Sequence, residues 1–215
     1  MKTVIPELTP LLREGFVRKC SNPKSNLEGV GLLSVRDISL TERPDLLTER
    51  LVLRRPELGD VEAIVSIVGD WDVARRLARV PYPYGTDDAH FFLDEVVPSE
   101  WVWAITLIGD DTLIGAVGLT PEEDRNSAEL GYWLSPAHAG KGIATEAATE
   151  VVRFGFESLR LPLVTSGYFE DNPASGRVLR KLGFIETGPG ERSSMAAGST
   201  VPSVEMELPR SNWLE

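Results

Sequence analysis

The sequence has few of the residues that build disulfides and metal sites. Its 215 residues include one cysteine, Cys20, and two histidines, His90 and His138. A single cysteine excludes an internal disulfide, which agrees with a reducing compartment. The histidines are far apart and lack the spaced Cys, His or carboxylate partners of a zinc site. We therefore expect no metal.

Long hydrophobic runs are also missing. No segment approaches the roughly 20 apolar residues that a membrane helix needs, and the first residues lack the basic-then-apolar order of a secretory signal. We therefore expect a cytoplasmic protein without a membrane partner.

Positive charge is scarce. Lys and Arg number 22 against 33 Asp and Glu, so the formal net charge is -11. Nucleic-acid binding requires a net or clustered positive field, so no nucleic-acid partner is expected. A cationic partner, such as a polyamine, an aminoglycoside or a basic protein terminus, would suit this charge, although acidic surfaces also keep many proteins soluble.

The chain does contain enough apolar residues, 42%, to bury a core. Residues 1–47 show no sustained hydrophobic period and are interpreted as an extension, either a partly ordered arm or the result of an upstream translation start. From Thr48 the periodicity is dense, and residues 48–215 are predicted to form one domain.

Hydrophobic periodicity in residues 48–215 predicts a strand, two helices, three meandering strands, a helix, a strand, a helix and two final strands. This order indicates a mixed α/β protein with one mostly antiparallel central sheet flanked by helices. The predicted strands are 51–53, 102–108, 113–119, 127–135, 163–168, 185–187 and 203–208. The predicted helices include residues 60–68, 72–78, 142–158 and the segment that begins at Asn172.

A glycine-rich turn, Ala139-Gly-Lys-Gly-Ile-Ala-Thr145, joins the strand 127–135 to the following helix. Free amides and the dipole at a helix start attract phosphate, and glycines let the backbone approach it closely. The turn does not match a P-loop, because Gly142 follows Lys141 where Ser or Thr is required. It does not match the dinucleotide fingerprint either, because Thr145 stands where Gly or Ala is required. The chemistry predicted here is binding of a phosphate-containing ligand.

Four motifs in this order resemble the successive signatures of the GNAT superfamily of N-acetyltransferases, above all its ribosomal-protein N-terminal branch. The resemblance extends from Thr48-Glu-Arg-Leu-Val-Leu-Arg54 to the end of the chain. The motifs are Glu129-Leu-Gly-Tyr-Trp-Leu, Gly140-Lys-Gly-Ile-Ala-Thr-Glu-Ala, Asn172-Pro-Ala-Ser and Lys181-Leu-Gly-Phe184.

The resemblance implies acetyl-CoA as acetyl donor and a sheet splayed between its fourth and fifth predicted strands. Backbone groups around Leu134 and Ser135 should then bind the pantetheine arm, and Asn172 should hydrogen-bond the cofactor. The pyrophosphate should be held by Gly140, Lys141, Gly142, Ile143, Ala144 and Thr145. One departure is Ala139, where the superfamily has Gln or Arg and this branch often has an aromatic residue.

The resemblance also implies the catalytic residues. Glu129 occupies the position of a carboxylate base, which would take a proton from the acceptor amine directly or through water. The structural alternative is a strand carboxylate paired with an arginine. Ser175 aligns with a hydroxyl proposed to stabilise or protonate the departing thiolate, and its alternative is a simple hydrogen bond to the sulfur or the helix backbone. Strand alternation places Tyr132 on the face opposite Glu129, which favours a packing role.

Three aromatic residues are expected to bind the acceptor. Tyr82 and Tyr84 lie in the loop where the superfamily shapes its acceptor pocket, and Trp133 shares the strand face of Glu129. The interpretation is that the protein transfers acetyl directly to an amine, and the acceptor favoured is a protein or peptide α-amino group. The protein is expected to be a monomer or a homodimer. The alternatives are a small-amine acetyltransferase and a non-catalytic acyl-CoA-binding protein.

Overall fold

The computed structural model describes residues 43–123 and 126–213. The predictions for residues 1–42, including most of the extension and Cys20, lie outside them. Within the described residues, one sheet contains eight strands in the order β1-β2-β3-β4-β5-β6-β8-β7. The strands are Leu46–Leu47 (β1), Leu51–Arg54 (β2), Trp101–Leu107 (β3), Asp110–Pro121 (β4), Ser127–Leu134 (β5), Leu163–Phe169 (β6), Ile185–Ser194 (β7) and Ser199–Pro209 (β8).

Helices connect these strands at the places where apolar residues recur at helical spacing. The α-helices are Val61–Val68 (α1), Trp71–Ala74 (α2), Thr86–Phe91 (α3), Val97–Ser99 (α4), Ile143–Glu157 (α5) and Pro173–Lys181 (α6). A π-helical turn, Phe92–Val96, joins α3 to α4. Short 3-10 turns cover Leu58–Asp60, Pro136–His138 and Arg210–Asn212.

The sheet is antiparallel at every junction except the one between β5 and β6, which is parallel. A parallel junction needs a crossover, and α5 supplies it. The predicted fold class, one mixed and mostly antiparallel sheet flanked by helices, is confirmed.

The main core lies between the sheet and the two long helices α5 and α6. The predicted inner stripe of α5 is confirmed, because Ile143, Ala147, Val151 and Phe154 are all buried. The Phe154 ring packs edge-on against Trp103 of β3, with centroids 5.1 Å apart. Burial of these side chains, worth about 1.5–3 kcal/mol for each large one, fixes α5 against the sheet.

A second core lies on the opposite face of the sheet, under α1 and α3, and includes Ile64, Val68 and Leu93. Residues of β5 divide between the two faces as strand alternation predicts. Tyr132 packs against the main core, whereas Trp133 packs against the second. The sheet is therefore covered by helices on both faces.

Five described residues, 43–47, fall within the predicted extension. Leu46 pairs with Leu53 of β2 and is buried, and the Arg43 guanidinium donates to the backbone carbonyls of Val97 and Glu100. The contacts of the sheet domain therefore extend to residues before Thr48.

The last two predicted strands, 185–187 and 203–208, are too short, and the long loop that these bounds imply between them is wrong. β7 continues to Ser194 and β8 begins at Ser199, so the two strands pair over most of this segment, with a register shift between Glu186 and Gly188. The segment is rich in Gly, Ser and charged residues, so it carries no apolar alternation by which a strand is recognised. Its strand structure comes from pairing with β8.

Candidate functional site

Strands β5 and β6 pair at their beginnings and then separate. Ser127, Ala128 and Glu129 pair with Leu163, Val164 and Thr165. One residue further on, the Ser166 hydroxyl donates to the Leu130 carbonyl at 2.9 Å. Beyond that contact β5 continues to Leu134 without further paired residues from β6. We call this gap the opening; along it the backbone groups of β5 beyond Leu130 have no paired residue of β6.

At the far end of β5, residues 139–145, here called the glycine turn, lead into α5. Gly140 and Gly142 have φ values of +76° and +80°, a backbone region that other residues rarely adopt. Gly142 is the N-cap of α5 and provides no side-chain cap. The first amides of a helix have no intrahelical partner, so this start of α5 offers N–H donors and the positive end of the helix dipole to an anion.

The residues of the glycine turn differ in which groups they can present to a ligand. Ile143 is buried in the main core, so only its backbone can contact a ligand at the surface. Ala144 and Thr145 are partly exposed at the first turn of α5, and Lys141 is exposed. The turn therefore offers mainly backbone amides, with Lys141 as an accessible cation.

A network that the sequence analysis missed holds this turn. Glu146 accepts hydrogen bonds from the Thr48 hydroxyl at 2.6 Å and from the Arg50 backbone amide at 2.9 Å. The Arg50 guanidinium bonds both the Glu146 carboxylate and the Lys141 carbonyl, the latter at 3.1 Å. Burial alone would raise the pKa of Glu146, but the hydrogen bonds from Thr48 and Arg50 outweigh it and lower that pKa. Thr48 and Arg50 belong to one of the motifs quoted above and Glu146 belongs to another, but the sequence could not show that these two motifs meet in the fold.

The residues expected to meet the pantetheine arm lie at the end of β5. Leu134 is partly buried against the main core. The Ser135 amide donates to the Ile114 carbonyl at 2.8 Å. The Ser135 carbonyl accepts from the His138 amide at 2.9 Å, so the hydroxyl is the group of Ser135 that is left for a ligand.

The start of α6 faces β5 across the opening. The Asn172 side-chain oxygen caps α6 by accepting from the Ser175 amide, so its NH₂ group is the part left for a ligand. The Ser175 hydroxyl lies 2.8 Å from the Tyr132 hydroxyl. Burial raises the pKa of Tyr132 to about 12, against the opposing effect of the hydrogen bond with Ser175. Tyr132 thus packs as predicted, and its polar end also contacts a candidate catalytic residue.

Glu129 lies at the last paired position before β5 and β6 separate. Its carboxylate forms an ion pair with Arg192 of β7, and the same guanidinium forms a forked pair with Glu205 of β8. The pKa of Arg192 is raised by its hydrogen bonds to Glu205, against desolvation, and by the charge of Glu129. We call Glu129, Arg192 and Glu205 the carboxylate bridge. The arginine partner considered for Glu129 in the sequence analysis is present, and it leaves the trio with one net negative charge.

The two loop tyrosines have different environments. Tyr82 is 46% exposed and contacts the Trp71 ring edge-on, with centroids 4.8 Å apart. Tyr84 packs against the second core, and burial raises its pKa. Arg79, at the start of the same loop, donates to the Glu100 carboxylate and to the Thr120 hydroxyl, and Thr120 of β4 pairs with Glu129 of β5. The loop therefore lies near the carboxylate bridge, with Tyr82 as its accessible aromatic residue and Trp133 half-buried on the same sheet face.

Residues 43–123 and 126–213 contain no group of three His, Cys, Asp or Glu side chains placed to hold a metal ion. None of their helices combines the length and apolar character needed to cross a membrane.

Comparison with known proteins identifies the family. Residues 50–185 match the family model of the acetyltransferase (GNAT) domain. The chain is 30% identical over 157 residues to an uncharacterized N-acetyltransferase, YoaA, of Bacillus subtilis (strain 168), which covers 67% of this chain and 85% of the relative. It is 35% identical over 80 residues to a ribosomal-protein-serine acetyltransferase of Escherichia coli (strain K12), covering 37% of this chain and 45% of the relative.

A solved structure shows the same fold. It is that of a spermidine N-acetyltransferase from Vibrio cholerae in complex with CoA and spermine, with a TM-score of 0.67 and 22% identity over 78% of this chain and all of the other. The family model covers more than half of the chain, and the matched residues include the glycine turn and the start of α6. This chain therefore belongs to the GNAT acetyltransferase family and is an N-acetyltransferase.

Proposed function

We propose that this chain transfers an acetyl group from acetyl-CoA to a primary amine, and that the preferred acceptor is the α-amino group of a protein or peptide. The observation that carries the proposal is the opening between β5 and β6, which has the glycine turn at one end and Glu129 at the other. A donor bound along the opening would have its phosphates at the helix start and its thioester near the point where the strands separate.

The amides of the glycine turn would hold the pyrophosphate, with Lys141 adding positive charge. Backbone groups around Leu134 and Ser135 would bind the pantetheine arm, and the Asn172 amide would donate to the same ligand. Ala139, the departure from the family pattern, removes one side-chain contact. Because most of the remaining donors are backbone amides, binding is expected to survive that loss.

The reaction needs a neutral amine. The Glu129 carboxylate would accept the proton of an incoming ammonium, directly or through water, and the freed nitrogen lone pair would attack the thioester carbonyl. A carbon–nitrogen bond forms and the carbon–sulfur bond breaks. The second proton of the attacking nitrogen passes to the leaving CoA thiolate, and the first proton is released from Glu129 to solvent, so the products are the amide and the CoA thiol. The Ser175 hydroxyl, hydrogen-bonded to Tyr132, would donate to that sulfur. No covalent intermediate on the protein is involved.

Two relatives name candidate acceptors. The Escherichia coli relative acts on a ribosomal protein, and the Vibrio cholerae structure is that of a spermidine acetyltransferase. The motif resemblance to the ribosomal-protein branch favours a protein α-amino group here. The net charge of -11 and the negative carboxylate bridge suit a cationic acceptor of either kind. A polyamine is therefore the second candidate, with Tyr82 and Trp133 as aromatic contacts.

A panel of acceptors tests the proposal. Peptides with free α-amino groups, the same peptides with blocked α-amino groups, and spermidine are compared by kcat/KM with acetyl-CoA as donor. Turnover that disappears when the α-amino group is blocked supports the proposal, whereas preferential turnover of spermidine supports the second candidate. Saturating acetyl-CoA, at about a hundred times its dissociation constant, should stabilise the protein by about 2.7 kcal/mol whatever the acceptor. That shift without turnover of any amine would indicate a non-catalytic acyl-CoA-binding protein.

A further inference from the structure

Arg192 reaches across the sheet to Glu129. It belongs to β7, whereas Glu129 belongs to β5, and strands β8 and β6 lie between them in the sheet order. The guanidinium therefore spans the side of the opening at which β5 and β6 begin to separate.

Two features show that this crossing is built into the fold. The guanidinium lies directly on Gly167 of β6: a Cβ atom there would be 2.5–2.7 Å from its Nη2, Nε and Cζ atoms. Any other residue at position 167 would displace the guanidinium. Gly190 of β7 leaves similar room for Glu205, whose side chain a Cβ at position 190 would meet at 2.7 Å.

The three side chains of the carboxylate bridge have unequal roles. Glu205 accepts from Arg192 Nε at 2.8 Å and from Nη2, and it also accepts from the buried Ser203 hydroxyl at 2.7 Å. These contacts anchor the guanidinium from two directions. The remaining contact, from Nη1, goes to a single oxygen of Glu129, Oε1. Glu205 is therefore the anchor, and Arg192 transmits its position to Glu129.

We propose that Arg192, anchored by Glu205, is a positioning residue that orients the Glu129 carboxylate for its reaction with the acceptor amine. With Oε1 held by Arg192, Oε2 is the oxygen directed to the acceptor. The trio keeps one net negative charge, so an arriving ammonium is still attracted. This inference rests on the proposed role of Glu129 as the proton acceptor.

The test measures kcat and KM of Arg192→Gln, Arg192→Lys and Glu205→Gln. Arg192→Gln is expected to lower kcat ten- to hundredfold, about the cost of a misplaced reacting group, while KM for acetyl-CoA changes less than about twofold. Arg192→Lys keeps the positive charge but cannot form the forked contact with Glu205, so its kcat should lie between those of the parent and of Arg192→Gln. The matched control is Arg153→Gln, because Arg153 also bridges two carboxylates, Glu150 and Glu157, on the surface of α5. It should retain the parent kcat.

A double-mutant cycle separates positioning from a structural role. In the Glu129→Gln background, Arg192→Gln should cause no further loss of kcat, because the group that it positions is gone. Added guanidinium at low concentration should restore part of the activity of Arg192→Ala, which also covers the case in which Arg192→Gln folds poorly. The inference alone would be overturned if Arg192→Gln lowered kcat by the same factor in the parent and in the Glu129→Gln background. It would also be overturned if Arg192→Gln left kcat unchanged while Glu129→Gln lowered it. Full activity of Glu129→Gln would overturn the proposed base and the inference together.

Discussion

The glycine turn and the carboxylate bridge stand at opposite ends of the same opening, yet they are assembled differently. The glycine turn comes from one contiguous stretch in which two glycines set the backbone and α5 begins. The carboxylate bridge joins three strands, and its central contact links residues 63 positions apart in sequence. A site made of backbone geometry can be encoded locally, whereas a site made of side-chain charges depends on how distant strands meet.

The largest expected effect is at the carboxylate bridge. Glu129→Gln removes the proton acceptor and is expected to lower kcat about 100-fold or more, because general-base assistance contributes about 10²–10⁴-fold. The dissociation constant of CoA, measured by calorimetry, should not change. Glu150→Gln, which alters a carboxylate of α5 paired with Arg153, is the control and should retain full turnover. An unchanged kcat in Glu129→Gln would remove the base assignment.

The next effect is at the glycine turn. Gly142→Ala places a side chain at φ +80° and 3.4 Å from the Arg50 guanidinium, a strain of order 1–3 kcal/mol. If the turn relaxes to relieve it, CoA affinity should fall about tenfold, corresponding to 1.4 kcal/mol. Gly109→Ala is the matched control, because Gly109 has φ +85° in the β3–β4 turn and no atom within 4 Å of an added Cβ. It should lower the unfolding temperature but leave CoA affinity unchanged.

A smaller effect is expected where α6 contacts β5. Tyr132→Phe removes the hydroxyl that lies 2.8 Å from that of Ser175, a hydrogen bond worth about 1 kcal/mol, so kcat should fall about fivefold. Because the pKa of Tyr132 is about 12, its hydroxyl keeps its proton at ordinary assay pH, and the loss should be the same from about pH 6 to 9. Ser175→Ala should cause a loss at least as large. If kcat of the variant that combines Tyr132→Phe and Ser175→Ala falls by the product of the two single losses, Tyr132 and Ser175 do not act as a unit.

The smallest effect concerns the stability of the glycine turn. The pKa of Glu146 is lowered in the folded protein, so the carboxylate stabilises the fold above its unfolded pKa of about 4.3, and this contribution is lost as pH falls through the lower folded value. Glu146→Gln should therefore cost about 1 kcal/mol of unfolding free energy at pH 7, the usual contribution of such hydrogen bonds, and less at an acidic pH at which the carboxylate is protonated in the folded protein. Denaturant unfolding at both pH values measures the difference.

The control for that experiment is Glu157→Gln on α5. Glu157 is half exposed in its ion pair with Arg153, and such pairs contribute less than about 0.5 kcal/mol. A loss in Glu146→Gln that does not change with pH would show that the network with Thr48 and Arg50 does not act through charge.

The fold was largely predictable because its helices and most of its strands carry a clear period. The inner stripe of α5 and the division of β5 between two faces followed from spacing alone. The extent of β7 did not, because its polar, glycine-containing sequence has no such period and depends on pairing with β8. The missed part of β7 supplies Arg192, so the error in the fold and the gap in the site have the same origin.

The sequence by itself determined the glycine turn, the order of the elements from β3 onward and the family, because these depend on local conformation and on contiguous motifs. Only the tertiary structure decided that Thr48 and Arg50 hold Glu146, that Tyr132 contacts Ser175, and that Glu129 is bound by Arg192. These contacts arise where separate strands and helices come together in the packed sheet. Their partners have no fixed spacing along the chain by which a sequence pattern would identify them.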